Sequence, residues 1–251
     1  MILKQSALQR FLYANSDASN IRQRSKPRFY DRAYFALRGL SKGLKAAIVR
    51  AGDIKSVIDI GCGDEPYKSY FESKTAYVGV DYYSEKPGVK KIDIETSFKE
   101  FEADFVVCSE VLEHTFHFDQ VVENIYQNLK PGGSAYVSVP FAYELHGWNY
   151  NDFFRYSPKA LQKIFAKFSE VEITPTTTFP GTILLRVNNI IYYIPLPYIL
   201  KIPFFLLNNI LFLLIEYAIR GLIGLLKLKP ESLPVKWAYS FPTNFTCYLK
   251  K

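Results

Sequence analysis

The sequence has few cysteines, few histidines and no segment that resembles a secretory signal. Its three cysteines, Cys62, Cys108 and Cys247, are an odd set without the spacing of a metal site, and two of them lie in apolar segments that resemble strands. Such cysteines are typical of reduced thiols in the core of a cytosolic protein. The first residues, MILKQSALQRF, lack the apolar core of a signal peptide. We therefore expect a protein that stays inside the cell.

Positive charge is concentrated at the two ends of the chain. The net formal charge of the 251 residues is +7. Residues 1–50 carry 11 basic and 2 acidic side chains, residues 51–180 carry 12 and 20, and residues 181–251 carry 8 and 2. Basic ends favour anionic partners, such as phospholipid head groups, nucleic acid or a substrate that bears a diphosphate.

Apolar segments that alternate with helical patterns predict a parallel sheet with helices on both faces. The predicted strands are 56–60, 77–81, 91–94, 105–109, 134–139, 171–178 and 244–250. The predicted helices are 29–49, 65–71, 119–129 and 158–168, and residues 130–133 are predicted to stop a helix and turn into the next strand. A chain of this length can form one such α/β core with an appendage.

Two glycines directly follow the first predicted strand. Gly61 and Gly63 allow a sharp turn and a close approach of the backbone to a ligand. The second predicted strand ends in Asp81, 18 residues beyond Gly63, where a carboxylate can accept hydrogen bonds from a ribose. Glu65 lies in the region where a dinucleotide fingerprint has its third glycine, which argues against NAD. The pattern predicts a nucleoside site at the carboxyl edge of the sheet.

Five sequence blocks carry a resemblance to a known family. They are SVIDIGCG at 56–63, PY-x-x-YF at 66–71, ADFVVCSEVLEH at 103–114, NLKPGGSAYVSVP at 128–140 and DFFRYS at 152–157. In this order they resemble class I S-adenosylmethionine-dependent methyltransferases of the type 11 group, and most of all members from bacterial surface-polysaccharide clusters. The resemblance implies a Rossmann-like sheet of seven strands, in which the last strand lies antiparallel beside the sixth and an apolar helical insertion separates the two.

The resemblance also implies how S-adenosylmethionine is bound. The two glycines would admit its methionine portion above Asp59. Asp81 would accept from the ribose, and Asp93 would hold the adenine amino group. Ser109 and Glu110 would follow the fourth strand beside the cofactor. The implied cofactor residues are Asp59, Gly61, Cys62, Gly63, Asp81, Asp93, Ser109 and Glu110.

Methyl transfer to oxygen requires a base that removes the acceptor's proton. His146 follows the fifth predicted strand, where an acceptor would enter, and a histidine before a DFFRY run recurs in the resembled proteins. It is therefore the first candidate for the base, and His114 is the second. Neighbouring side chains that could bind a polyhydroxylated acceptor are Tyr143, Glu144, Asp152, Arg155 and Tyr156. An internal ion pair between Asp152 and Arg155 is the alternative for those two.

Glu110, Glu113 and His114 form an ExxEH run. In ubiquinone-pathway and small-RNA 2′-O-methyltransferases a similar run binds a divalent cation. In type 11 enzymes the same letters occur without metal, where they pack and cap a turn. We expect no metal here, and we expect His117 to lie in an exposed loop.

Residues 180–242 are an apolar and basic segment between the last two predicted strands. A helix over 203–228, with Pro203 in its first turn, would align Asn209, Glu216, Arg220 and Lys227 in one narrow polar stripe. Because strands on both sides share one sheet, the chain must cross a membrane an even number of times, and 187–200 is too short for a second span. We expect an interfacial or re-entrant hairpin on an anionic membrane. The alternatives are a cap over the active site, a homodimer interface and a spanning helix.

Three regions follow from these patterns. They are a basic arm and covering helix at 1–50, a cofactor-binding domain at 51–179 with 243–251, and the insertion at 180–242. The predicted function is O-methylation of a sugar of a lipid-linked glycan or nucleotide sugar, in the cytoplasm and at the inner membrane. The alternatives are methylation of a quinone or other apolar lipid and 2′-O-methylation of RNA. The basic arm has few interleaved aromatic residues, so we expect no nucleic acid partner.

Overall fold

The structure is a computed structural model that describes residues 22–145 and 151–251. The confirmed fold class is α/β. The helices are α1 (Tyr34–Ala51), α2 (Phe118–Gln127), α3 (Pro158–Ile164), α4 (Phe179–Tyr193), α5 (Tyr198–Leu225) and α6 (Leu233–Ala238). The strands are β1 (Ser56–Ile60), β2 (Ala76–Val80), β3 (Ala103–Ser109), β4 (Leu129–Pro140), β5 (Glu170–Pro175) and β6 (Asn244–Lys250).

The strands form one sheet in the order β2-β1-β3-β4-β6-β5. β1 pairs in parallel with β2 and β3, and β3 pairs in parallel with β4. β6 lies antiparallel between β4 and β5. Because β1 to β4 run in one direction, their carboxyl ends meet at one edge of the sheet, where open α/β sheets bind ligands. β1 and β3 are buried along almost their whole length, as expected of parallel strands covered on both faces.

The sheet has six strands in the described residues, so the prediction of seven was wrong. The segment 91–94 forms no strand, and only an isolated bridge joins Val80 to Lys90. Asp93 turns the chain, because its carboxylate accepts from the backbone N–H of Glu95. The side-chain amide of Asn124 then donates to backbone carbonyls at 94 and 96. These side-chain hydrogen bonds replace the strand ladder that the apolar pattern predicted.

Two shorter predictions were also wrong. The predicted helix at 65–71 is a single 3₁₀ turn, Lys68–Tyr70, because the chain leaves the glycine loop with Glu65 in the left-handed region, at a φ of 54°. The predicted turn at 130–133 belongs to the start of β4. A register shift against β3 accommodates this extra length.

The described chain divides into two compact units. The sheet unit contains Gly39–Thr176 and Phe241–Lys251, and therefore the whole sheet. The helical unit contains the described residues up to Arg38 together with Thr177–Ser240. In the sequence these helices form an insertion, and the structure groups them with the N-terminal residues.

In the helical unit, α4 and α5 pack against each other and against the residues that precede Gly39. The ring of Phe35 stacks on Phe212, with 3.8 Å between the ring centroids, and Ala36 and Leu185 complete this small core. Pro203 lies inside α5 and not in its first turn, because the helix already begins at Tyr198. By its 28 residues, α5 is about 42 Å long.

Candidate cofactor and acceptor site

The glycine loop begins where β1 ends. Gly61 has a φ of 68°, and its N–H donates to the carbonyl of Val80 at 2.8 Å. A Cβ at Gly61 would come within 2.5 Å of the Val111 side chain, so this position requires glycine. Gly63 also has a positive φ, of 50°, but a Cβ there would meet nothing within 4 Å. The two glycines therefore serve different ends: the first lets the loop pack on Val111, and the second keeps the backbone open to a ligand.

Asp81 connects the glycine loop to the loop after β2. One carboxylate oxygen accepts from the N–H of Gly63 at 2.9 Å. The other accepts from the N–H groups of Tyr83 and Ser84 at 2.7 and 2.9 Å. The structure thus brings the two predicted parts of the nucleoside site together. Asp81 has a loop-holding role that the spacing argument did not include.

Asp59 near the end of β1 and Cys62 between the two glycines are both buried. The hydroxyl of Tyr77 donates to the Asp59 carboxylate, and burial together with that nearby charge raises the pKa of Tyr77 far above its usual range. Burial, with the charges of Asp59 and Asp81, also raises the pKa of the Cys62 thiol far above its usual range. Such burial is typical of an inert structural thiol, and the predicted contact of Cys62 with the cofactor stays a prediction.

Glu65 forms a charge cluster that the sequence reasoning missed. It is buried, and its carboxylate lies 2.9 Å from the ammonium of Lys86 and 3.2 Å from that of Lys68. Burial raises the pKa of Glu65, but the hydrogen bonds from the two lysines outweigh it and lower the pKa overall. Lys86 also donates to the carbonyl of Asp64. The cluster joins the loop after β2 to the glycine loop a second time.

The ends of β3 and β4 place hydroxyl groups side by side. Ser109 and Ser138 are register partners, and their hydroxyl oxygens are 2.9 Å apart. The next residue, Glu110, has a φ of 58°, which is uncommon for a residue with a side chain. Its carboxylate accepts from the amide of Asn244 at 2.7 Å. Neither Ser138 nor Asn244 was predicted, because only the strand pairing shows that they adjoin this edge.

His114 lies in a 3₁₀ turn after β3, Leu112–His114. Its Nδ1 is hydrogen-bonded to the carbonyl of Asn151, and its Nε2 is 3.6 Å from a carboxylate oxygen of the buried Glu113. A proton on Nδ1 would assign the accepting role to Nε2. Throughout residues 22–145 and 151–251, no three His, Cys, Asp or Glu side chains come together as a possible metal site.

The segment after β4 contains the predicted acceptor residues. His146 lies outside the described residues, so its role as the base stays a prediction. Arg155 forms a two-pronged ion pair with Asp152 and also donates to the carbonyl of Glu144 at 3.3 Å. The internal pair, offered above as the alternative, is thus present. Tyr143 is half-buried.

Two predicted site residues do not fit their expected surroundings. Tyr156 is buried in the core, and its hydroxyl donates to the carbonyl of Leu112 at 3.0 Å, in the turn that contains His114; its contact with an acceptor stays a prediction. Asp93 lies exposed in the turn described above. Its contact with adenine stays a prediction, because the strand that would have positioned it is absent from the described sheet.

A family comparison identifies the class of this site. The model of the family described as "Methyltransferase domain" matches residues 22–169, which is more than half of the chain. The chain belongs to the S-adenosylmethionine-dependent methyltransferase domain family. This confirms the resemblance at the level of the class, the enzyme type and the cofactor. The narrower resemblance to proteins of surface-polysaccharide clusters stays a prediction.

Individual relatives are more distant. The ubiquinone biosynthesis O-methyltransferase of Rickettsia prowazekii (strain Madrid E) is 28% identical over 104 residues, which are 33% of this chain and 39% of the relative. The chain therefore spans about two fifths of the length of the curated relatives it matches. The solved [4+2]-cyclase SpnF is 13% identical, with 86% of this chain and 82% of that chain covered and a TM-score of 0.52. That likeness concerns the fold alone.

The residues at the sheet edge fit the cofactor of this family. Gly63 leaves open space above a loop whose backbone could closely approach a methionine portion, and Asp81 carries a carboxylate at the end of β2. Ser109 and Glu110 border the same edge from β3. When bound, S-adenosylmethionine supplies an activated methyl group on a sulfonium. The contribution of a methyltransferase chain is to align the acceptor with this methyl group.

Proposed function

We propose that this protein methylates a hydroxyl oxygen of a sugar, in a lipid-linked glycan or a nucleotide sugar of surface-polysaccharide biosynthesis. The polarity of the segment after β4 is the observation that carries the proposal. This segment leaves the same sheet edge as the glycine loop, and it contains the half-buried Tyr143 and Glu144, with Arg155 and Asp152 paired to each other beside them. A sugar offers many hydroxyl groups to such side chains, whereas a quinone ring offers few.

The proposed roles of the residues follow from their partners. The ion pair with Asp152 fixes the Arg155 guanidinium, which in turn holds the carbonyl of Glu144. This arrangement would give the acceptor segment a defined shape, so that one hydroxyl is presented to the methyl group. His146 is the first candidate for the base. His114 is the second, with Nε2 as its accepting nitrogen.

We further propose that the enzyme works in the cytoplasm and contacts the inner membrane peripherally. The support is the amount of apolar surface on the helical unit, where α5 exposes leucine, isoleucine and phenylalanine side chains along its length. A lipid-linked acceptor would be met at that surface. A free nucleotide sugar would not require it, so the lipid-linked glycan is the preferred acceptor of the two.

A second candidate acceptor is a quinone or another apolar lipid. The matched part of the Rickettsia prowazekii relative, a ubiquinone biosynthesis O-methyltransferase, favours it. The exposed apolar side chains of the helical unit are as compatible with this acceptor as with a lipid-linked glycan. The polar side chains of Tyr143 and Glu144 in the acceptor segment favour the sugar.

The two candidates can be separated by following the label from the cofactor. Purified full-length protein would be incubated with methyl-labelled S-adenosylmethionine and a membrane lipid extract. Label that becomes water-soluble after mild acid hydrolysis of the glycan linkage supports the sugar. Label that stays in the quinone fraction supports the second candidate and contradicts the first.

His146→Ala should abolish turnover while cofactor binding, followed by calorimetry, is retained. His114→Ala tests the other candidate base in the same assay.

A further inference from the structure

The polar and apolar sides of α5 are inverted relative to a helix on the surface of a water-soluble protein. Such a helix turns its apolar stripe inward and its polar side chains to water. In α5 four of the six buried residues are polar, Lys201, Asn208, Asn209 and Glu216, beside Phe205 and Phe212, and Asn209 is fully inaccessible to water. Of the polar stripe predicted from the sequence, Asn209 and Glu216 face protein, whereas Arg220 and Lys227 are exposed.

Three asparagines form a continuous hydrogen-bonded chain inside the helical unit. The amide of Asn188 on α4 donates to the oxygen of Asn209 at 3.0 Å, and that of Asn208 donates to the oxygen of Asn188 at 2.8 Å. Asn209 also donates to the carbonyl of Phe29 at 2.6 Å, and Asn188 donates to that of Arg32 at 2.9 Å. A buried amide without its hydrogen-bond partner would lower the stability of the fold. These asparagine hydrogen bonds therefore fix which face of α5 is turned inward.

Two charged side chains hold the same face. Glu216 accepts from the backbone N–H and the hydroxyl of Thr178, at 3.0 and 2.6 Å, and pairs with Arg220 at 3.2 Å. The ammonium of Lys201 donates to the carbonyl of Tyr192 at 2.6 Å. Near both ends of α5, as in its middle, the polar groups are satisfied within the helical unit.

The opposite face of α5 is apolar and exposed. We call it the outward stripe, defined by side chains that recur every three or four residues or at a multiple of that spacing: Leu200, Phe204, Leu207, Leu211, Leu214 and Leu222. It runs along most of the helix without a charged side chain. A contiguous apolar surface of this length is beyond what a soluble monomer normally leaves in water.

The surroundings of the stripe indicate what covers it. A protein interface carries about one hydrogen bond per 100–200 Å², and the aliphatic and phenyl side chains of the outward stripe offer none. Beyond the stripe, exposed Lys227, Lys229 and Lys236 outnumber the exposed Glu231. Exposed Trp237 lies beside them, and tryptophan is enriched at the level of lipid head groups. An apolar face with a basic, aromatic border matches an anionic bilayer.

The strand pairing determines how deep the helix can lie. α5 is the one described helix that is long and apolar enough to span a membrane. However, β5 and β6 flank the helical segment and pair with each other, so the chain must return to the side from which it left. α4 has 15 residues, or about 22 Å, which is too short to provide the second crossing.

We propose that the outward stripe lies within one leaflet of an anionic phospholipid bilayer, parallel to its surface, with Lys227, Lys229 and Lys236 at the head groups. The polar face of α5 then needs no water, because the rest of the helical unit covers it. This inference rests on the proposed function insofar as it names the surface that brings the enzyme to a lipid-linked acceptor. Its test does not depend on methyl transfer.

The test is flotation of the full chain with vesicles of phosphatidylcholine and phosphatidylglycerol. Leu207→Glu with Leu214→Glu should lower vesicle partitioning by more than about a hundredfold, because each buried leucine contributes substantially to transfer from water. Val49→Glu with Ser73→Glu is the matched control, since both residues are exposed in the sheet unit and add the same charge. Vesicles of phosphatidylcholine alone should bind the wild-type protein at least about tenfold more weakly than the mixed vesicles do.

Several results would overturn the inference. One is unchanged flotation of the variant with both leucines replaced. Another is that the wild-type protein does not float but forms a dimer, and that the same variant is monomeric.

A dye on Leu207→Cys should be quenched more strongly by shallow than by deep quenchers in the lipid. Stronger quenching at the midplane would indicate a span and contradict the single-leaflet position. Circular dichroism and cofactor calorimetry verify folding. Flotation without transfer to any glycan would contradict the proposed function and leave the membrane surface standing.

Discussion

The sheet unit and the helical unit place polar side chains in opposite positions. β1, β3 and β4 bury apolar side chains on both faces, and Asp81, Ser109 and Glu110 lie at the carboxyl edge of the sheet. In the helical unit, the amides and Glu216 are inside and the leucines of α5 are outside. In both units buried polar side chains bond to one another, as Ser109 does to Ser138 and Asn188 to Asn209. The two units differ in the surroundings to which their outer surfaces are exposed.

The sheet unit is built to keep water out of its core and admit a ligand at one edge. The helical unit is built to present an apolar face, which water alone would not stabilise. The two units therefore depend on different interactions. In the sheet unit, loss of an apolar side chain should reduce stability more than loss of a polar one, and in the helical unit the reverse should hold. The following predictions use that contrast.

The largest effect is expected for Gly61→Ala in the sheet unit. The positive φ costs roughly 1–2 kcal/mol, and the close approach to Val111 should add about 1–3 kcal/mol. Gly52→Ala is the control, since Gly52 also has a positive φ, of 84°, but no neighbour within 4 Å of a Cβ. Urea denaturation measures both. Equal losses of stability would show that the Val111 contact does not constrain the loop.

The contrast between the units is tested by pairing Asn209→Ala with Leu207→Ala. Loss of the buried amide should cost about 1–3 kcal/mol, whereas loss of the exposed leucine should stay within about 0.5 kcal/mol. In the sheet unit the order reverses: Ile58→Ala should cost about 2–5 kcal/mol and Asp93→Ala very little. Hydrogen exchange of the amides in each unit provides the measurement. If Leu207→Ala destabilised α5 more than Asn209→Ala, the inverted arrangement would be wrong.

Asp81→Asn should weaken cofactor binding by about tenfold or more, because hydrogen bonds to a charged group contribute roughly 1.5–3 kcal/mol. Asp93→Asn is the matched variant. We expect it to leave the affinity within about twofold, because its carboxylate serves an exposed turn. Calorimetry with S-adenosylhomocysteine gives both affinities. A large loss for Asp93→Asn would restore the adenine contact predicted from the resemblance.

The smallest effect concerns pH and Glu65. The net lowering of its pKa below the usual 4.5 means that its ion pairs stabilise the fold fully above that value. The contribution is lost as the pH falls through the lower pKa of the folded state. Glu65→Gln should therefore make the melting temperature less sensitive to acid. The free energy of unfolding should change by less than about 1 kcal/mol, because Lys68 is half exposed. Glu72→Gln, at an exposed surface pair, is the control.

The sequence predicted the segments whose own composition decides their structure. The runs that form β1, β3 and β6 are short, apolar and bounded by breakers, and the two glycines could be read as a ligand loop. The predictions failed where a distant side chain intervenes. Asn124 replaces a strand ladder after Asp93, and the cluster around Glu65 fixes a loop where a helix was expected. Ser138 and Asn244 join the site only through strand pairing.

The sequence by itself determined the α/β class, the glycine loop with its acidic partner, and the long apolar helix with a polar stripe. Tertiary structure alone decided that Asn209 and Glu216 of this stripe face inward, because the direction of a helix face depends on whether the neighbouring elements offer hydrogen-bond partners. Asn188 on α4 and the carbonyl of Phe29 supply them. Periodicity fixes which residues share a face, and only packing fixes where that face is turned.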